Sequence, residues 1–222
     1  MTETGDTSRK SYEEGCIAAH ALDLVGDRWA LLVVRELMLG PKRFGALRDG
    51  LPGISANILT RRLVELEAQG VLVRRRLPPP ADVPVYDLTA PGRRLRPVIE
   101  ALCRWGAGMP GHDPRLFISP TALMISMGAM IDRKAARALR IAVGFDLGAE
   151  RFDARLEGGR FIASPAAEPQ GDLVFRGAPN AVASAVYARR PLPETLAAGA
   201  VTLDGDPALG QRFVDLFDLR RD

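Results

Sequence analysis

Asn57 and Arg61 stand four residues apart, so a helix would present both on one face. An asparagine amide can pair bidentately with an adenine edge, and a guanidinium with guanine or a phosphate. Ser55, Ala56 and Thr60 complete the same outward face of the segment SANILTRRLVEL. Lys42 and Arg43 precede it and Arg74, Arg75 and Arg76 follow it, residue types suited to holding phosphate oxygens. Across residues 41–77, Lys42, Arg43, Arg48, Arg61, Arg62, Arg74, Arg75 and Arg76 face only Asp49, Glu65 and Glu67, a local charge of +5. The whole chain of 222 residues carries +3, so the remainder is mildly acidic. A polyanion such as double-stranded DNA is the partner this pattern implies. A merely solvated charged face is the plain alternative, but here the cations arrive together with the elements that would aim them.

Those elements follow from periodicity. Residues 17–37 repeat apolar positions at helical spacing, interrupted at Gly26-Asp27, which predicts two helices with Asp27 capping the second. Arg43–Leu51 predicts a short helix with Phe44 and Leu47 turned inward. Leu51-Pro52-Gly53-Ile54 makes a turn, and Ser55 is suited to cap the helix that follows. Leu59, Leu63 and Leu66 supply its buried stripe, and Gly70 ends it. Val71–Leu77 alternates as a strand, Pro78-Pro79-Pro80 interrupts, and Val85–Thr89 returns as its partner. A proline-stiffened hairpin directly after a recognition-type helix is a wing. The next helix, RRLRPVIEALCRWGAGM, carries Leu95, Val98, Ile99, Leu102 and Trp105 as a stripe too broad for one small domain to cover.

The span GAGMPGHDPRLFISP at 106–120 breaks helices and predicts a linker. It divides the chain into an N-terminal unit, 1–110, and a C-terminal unit, 117–222. The second half predicts α+β structure: an apolar helix around 120–137, strands at 141–147, 151–156, 160–163 and 172–176, a helix at 180–189, a strand at 200–204 and a terminal helix at 207–219. Met124, Met127, Met130 and Ile131 sit at helical spacing, where methionine can adapt to an apolar ligand or simply fill a core. Asp204-Gly205-Asp206 suits a turn and helix cap better than a calcium loop, whose other ligands are missing.

Bulk properties exclude several classes. Apolar content of 47% with 26% charged residues is ordinary for a globular protein. No apolar run reaches the ~18 residues of a membrane span, and the N-terminus lacks an export signal, so a cytoplasmic address is expected. Two cysteines and two histidines make neither a disulfide framework nor a clustered metal site. Nucleophile elbows, metalloprotease helices and phosphate-binding glycine loops are absent, so no catalytic residue, cofactor or metal is expected.

Three stretches carry a family resemblance: CIAAHALDLVGDRWALLVVREL, RFGALRDGLPGISANILTRRLVELEAQGVL and PVYDLTAPGRRL. Together, over roughly residues 12–109, they resemble the HxlR-type winged helix-turn-helix regulators. The resemblance implies a DNA-binding homodimer whose outer helices, here around 12–24 and 93–109, pack against a symmetry mate. Two recognition helices about one helical turn (~34 Å) apart would then read a pseudo-palindromic operator. Cys16 stands where several members of that family carry a sensing cysteine, whose chemistry requires an exposed thiolate of lowered pKa. Glu13 and Glu14 nearby would raise that pKa, and a structural cysteine at a dimer interface is the other reading. The C-terminal half, through FDARLEGGRFIASP, DLVFRGAPNAVASAVYARR and AVTLDGDPALGQRFVDLF, resembles sterol-carrier-protein-like domains, which enclose an apolar tunnel for lipid-like molecules.

The expected protein is thus α+β: a winged helix-turn-helix, mainly α with a hairpin wing, followed by a sterol-carrier-like α+β domain. The expected function is sequence-specific transcriptional regulation, as a repressor, with a second half that either senses an apolar small-molecule effector or serves assembly. A lipid carrier using the winged helix only for dimerisation, and a redox regulator acting through Cys16, are the alternatives.

Overall fold

A computed structural model of the chain describes residues 11–188 and 190–219. Helix α1 (Ile17–Val25) and helix α2 (Ala30–Leu37) occupy the first periodic stretch. The cap between them differs from expectation. Trp29 takes the cap position with a left-handed backbone (φ 82°), while the Asp27 carboxylate is drawn away to Arg62. Helix α3 (Phe44–Asp49) and helix α4 (Ala56–Ala68) follow, joined by the Pro52-Gly53 turn. Ser55 caps α4 by accepting from the Ile58 amide at 3.3 Å, as its position predicts.

Strands β1 (Leu72–Arg76) and β2 (Pro84–Leu88) form the antiparallel wing, with Leu72 opposite Leu88 and Arg76 opposite Pro84. Thr89 caps the short helix α5 (Ala90–Arg93), which leads into α6 (Arg96–Ala107). Gly92 is required at that junction, since a Cβ there would lie 2.0 Å from the Val71 carbonyl oxygen. Val33, Val34 and Leu37 of α2 meet Leu47, Leu59, Leu63 and Leu66 in one buried cluster, closed by Leu72, Leu88 and Ile99.

Helix α7 (Pro120–Met130) begins the second half, capped by Ser119. A 3-10 turn (Ala135–Ala138) precedes strands β3 (Ile141–Asp146), β4 (Arg151–Glu157), β5 (Arg160–Pro165) and β6 (Leu173–Gly177). Helices α8 (Pro179–Tyr187) and α9 (Leu192–Ala197), strand β7 (Val201–Gly205) and helix α10 (Pro207–Val214) complete the described chain. The sheet order is β5-β4-β3-β6-β7, with β3 and β6 parallel and the other neighbours antiparallel.

Helix α7 stops seven residues short of its expected end at 137, and α10 five short of 219. A bridge between Ile131 and Phe217, with the Asp132 amide donating to the Leu216 carbonyl at 2.8 Å, draws both chain ends into extended pairing. The six-residue α9 lies between Pro191 and Gly199 and is too short to leave a periodic trace. Arg189, the expected end of α8, lies outside the described residues.

Helix α7 is buried on nearly every side. Leu123, Met124 and Met127 join the core of the C-terminal sheet, whereas Ile125 joins the N-terminal cluster. The four residues of the ligand-pocket expectation, Met124, Met127, Met130 and Ile131, are buried, 0–7% exposed, in keeping with the core-filling reading of their spacing. A helix apolar all round belongs between two cores, and α7 occupies that place.

Phe145 organises the sheet core. Its ring stacks on Phe175 at 5.7 Å and meets Phe161 and Phe213 at 6.2 and 6.4 Å. Phe145→Ala should lower unfolding free energy by about 3–5 kcal/mol, read from the urea midpoint. A loss below about 1 kcal/mol would show that this cluster does not carry the sheet.

Candidate nucleic-acid interface

The first turns of α4 present their outer face to solvent. Ser55, Ala56, Asn57, Thr60 and Arg61 are all exposed, while Leu59, Leu63 and Leu66 anchor the opposite face. Their hydrogen bonds divide the five. Thr60 donates its hydroxyl back to the Ala56 carbonyl at 2.9 Å. Arg61 lies along the helix on Glu65 at 2.8 Å, yet its side chain remains 64% exposed. The Asn57 amide has no protein partner among the described residues, so its donor and acceptor are both available.

Ion pairing sorts the expected phosphate contacts. Arg43 caps α3 from an exposed position, Arg74 is exposed on β1, and neither makes an ion pair among the described residues. Arg48 belongs with them, although only its place off the Phe44–Leu47 stripe marked it. Arg75 is instead held by Asp87 at 2.8 Å, and Arg76 by Asp82 at 3.0 Å. Both remain solvent-facing, but a phosphate would have to compete with a carboxylate for them.

Lys42 departs furthest from expectation. Its side chain is only 10% exposed, and its ammonium lies between Glu36 at 3.0 Å and Glu150 at 2.7 Å. It faces inward in place of the outer position expected of a phosphate ligand. Beside it, a cleft of about 470 Å³ runs between the two halves, lined by Ala46, Leu77, Val85, Glu150 and Pro165 among others.

Arg62 is the residue that reading for exposed cations misplaces. It is buried, and its guanidinium joins Asp27 of the α1–α2 turn to Glu65 of α4. Its position within the Leu59–Leu66 stripe was the signal available. Arg62 therefore positions α4 against the domain and contributes no outward charge.

On α6, Ile99 is buried and Leu95 packs partly against the N-terminal cluster. Val98, Leu102 and Trp105 remain exposed at 45%, 47% and 66%. Ile17 and Leu22 of α1 are exposed as well. Helix α6 thus keeps half of its apolar stripe for the core and shows the other half to solvent.

The family profile described as HxlR-like helix-turn-helix matches residues 24–113. An HTH-type transcriptional regulator of Synechocystis sp., sll1512, is 41% identical over 98 residues, covering 43% of this chain and 73% of the relative. A second, YvaP of Bacillus subtilis, is 36% identical over 88 residues, covering 38% of this chain and 79% of the relative. The chain belongs to the HxlR-like helix-turn-helix family. Among solved structures, the reduced form of the transcriptional regulator YodB from B. subtilis aligns at 34% identity and a TM-score of 0.39. That alignment covers 45% of this chain and 100% of YodB.

HxlR-like proteins are transcriptional regulators and not an enzyme family, and the match accounts for the α4–wing geometry. It stops at residue 113, leaving the five-stranded sheet outside it. No helix among the described residues is long and apolar enough to cross a membrane.

The two cysteines of this HxlR-like chain differ sharply. Cys16 is exposed at the N-cap of α1, where the Ala19 and Ala18 backbone amides hold its thiol pKa below the ordinary value. Those amides decide the direction, against the raising effect expected of Glu13 and Glu14. Cys103 on α6 is half-buried, and burial pushes its thiol up. Thiolate is the reactive form, so alkylation of Cys16 should reach half its limiting rate at a lower pH than a free thiol. Cys103 should do so at a higher pH. Peptide mapping after iodoacetamide at neutral pH should find Cys16 labelled first; faster labelling of Cys103 would reverse the assignment.

Proposed function

We propose that this chain is a homodimeric, sequence-specific transcriptional repressor that inserts the N-terminal turns of α4 into the DNA major groove. The supporting observation is the outward face of α4: Asn57 and Arg61 stand exposed on a helix whose other side is fully anchored. Arg43, Arg48 and Arg74 flank it with no ion pair among the described residues and suit phosphate contact. Ser55 and Ala56 offer backbone amides and small side chains that allow close approach, and Thr60 offers its methyl. Arg75 and Arg76 would contribute as a wing field more than as direct ligands.

Dimerisation is supported by the exposed α6 stripe Val98–Leu102–Trp105 and by the exposed Ile17 and Leu22 of α1. An apolar strip of this kind on two outer helices suits burial against a second copy. A pseudo-palindromic operator follows from such a two-fold arrangement. We propose the boundary of the DNA-binding unit at residue 110 and of the second unit at 117, a division supported by two hydrophobic clusters that share little beyond α7, whose Ile125 joins the N-terminal one.

For the C-terminal unit a sterol-carrier-like scaffold is our reading, supported by a mixed five-stranded sheet with helices packed against it. With the methionines of α7 consumed by the core, an assembly or bracing role suits it better than lipid carriage. A thiol-responsive version of the regulator is favoured by one observation, the exposed and acidified Cys16 at the outer helix. Mild oxidation that left operator affinity unchanged would remove that version.

Fluorescence anisotropy with duplex from upstream of the gene should show affinity falling steeply with salt. Arg61→Ala should cost about 1–3 kcal/mol and relax specificity at one base pair. Arg74→Ala should weaken all sequences alike and reduce the salt slope by about 1. Intact binding in both variants would defeat the proposed docking.

A further inference from the structure

We infer that Lys42 and Glu150 are positioning residues for DNA reading, a clamp by which the C-terminal sheet holds the wing and α3 in place. The inference rests on the DNA-reading role proposed above, and the geometry of one residue carries it. Through its backbone, Lys42 extends the wing: its amide donates to the Tyr86 carbonyl at 3.0 Å, and the Tyr86 amide donates back at 2.8 Å. Through its ammonium it donates to Glu36 of α2 and to Glu150, which lies in the β3–β4 turn 108 residues away in sequence.

Each carboxylate is itself fixed. Glu36 has no exposed surface and also accepts from Arg35 at 2.9 Å and from the Ser119 hydroxyl at 2.6 Å. The second oxygen of Glu150 accepts from the Thr121 hydroxyl at 3.0 Å. Ser119 and Thr121 belong to the first turn of α7, so both acidic partners are tied to the C-terminal half. Arg43, the next residue after Lys42, occupies the N-cap position of α3 and makes no ion pair among the described residues. A shift of Lys42 therefore moves the middle of β2, where Tyr86 lies, and the start of α3 together. Glu36, Lys42 and Tyr86 lie within the residues that the family profile matches, 24–113, whereas Ser119, Thr121 and Glu150 lie beyond them, so the network joins the family part of the chain to the part outside the match.

The sign of a single substitution separates this clamp from simple electrostatics. Glu150→Gln removes one negative charge and keeps the side-chain shape. Charge alone predicts tighter DNA binding, because a lost carboxylate adds to the pull on phosphates. The clamp predicts the opposite, a weakening of roughly fivefold by anisotropy, with the salt slope unchanged because no phosphate contact has gone. Thr121→Val alters no charge and should weaken binding in the same direction, by less. Lys42→Gln combined with Glu150→Gln should add little to Lys42→Gln alone.

Hydrogen exchange on the DNA-free full chain gives a second readout. The Lys42 and Tyr86 amides should exchange faster in both Glu150→Gln and Thr121→Val, with melting temperature recorded to show that each variant is folded. Equal or tighter DNA binding by Glu150→Gln, or unaltered exchange at these amides, would overturn the clamp. Wild-type protein that retained no duplex at any salt would remove the DNA reading itself, while exchange would still report whether the wing is held.

Discussion

The arrangement of the two halves depends on a carboxylate that water does not reach. Glu36 lies on α2, the helix at the centre of the N-terminal cluster, and has no exposed surface. An ionised group in that position must be satisfied where it stands, because burial without partners costs several kcal/mol (roughly) per ion. Its partners come from its own helix, from Lys42 two residues before α3 and from the cap of α7. Neutralising one buried charge therefore draws three parts of the molecule to one point. Such a network adds orientation more than net stability, since a well-packed apolar set could replace it at similar free energy.

Around that point the structure divides its cations by burial. Lys42 and Arg62 are largely enclosed, with Lys42 and Arg62 each bridging two acidic groups. They fix the angles of α3 and α4. Arg43, Arg48 and Arg74 keep their charge for solvent. The positive balance counted over residues 41–77 is thus smaller in effect than in number, but what remains is concentrated on the loops and strand that flank α4. Rigid internal pairs and free external charges are what a groove-reading helix requires, because phosphate contacts set register and the helix face sets sequence.

Helix α7 serves the same end through packing. It has no polar face to turn outward and is covered by α2 and α6 on one side and by the sheet on the other. The span at 108–119 is irregular, as its glycines and prolines dictate, yet the halves it joins are packed together and not strung apart. A flexible connection in the chain need not mean a flexible relation in the fold when an apolar helix immediately follows it.

What the sequence determined by itself is local. The Ser55 cap, the Leu59–Leu63–Leu66 stripe, the Gly70 stop with its positive φ and the two wing strands all follow from neighbours within a few residues, and all are present. The exposed half of the α6 stripe was likewise legible from spacing. Tertiary structure decided whatever depended on distant partners. Lys42 became internal because Glu150 lies beside it, and Asp27 left its capping role because Arg62 sits opposite. The α7 methionines became core because two clusters close over them. Helical and strand periodicity encode which face is apolar, but a charge or a thioether is equally at home in water, at a ligand or in a pair. Only the chain that folds back on it settles which.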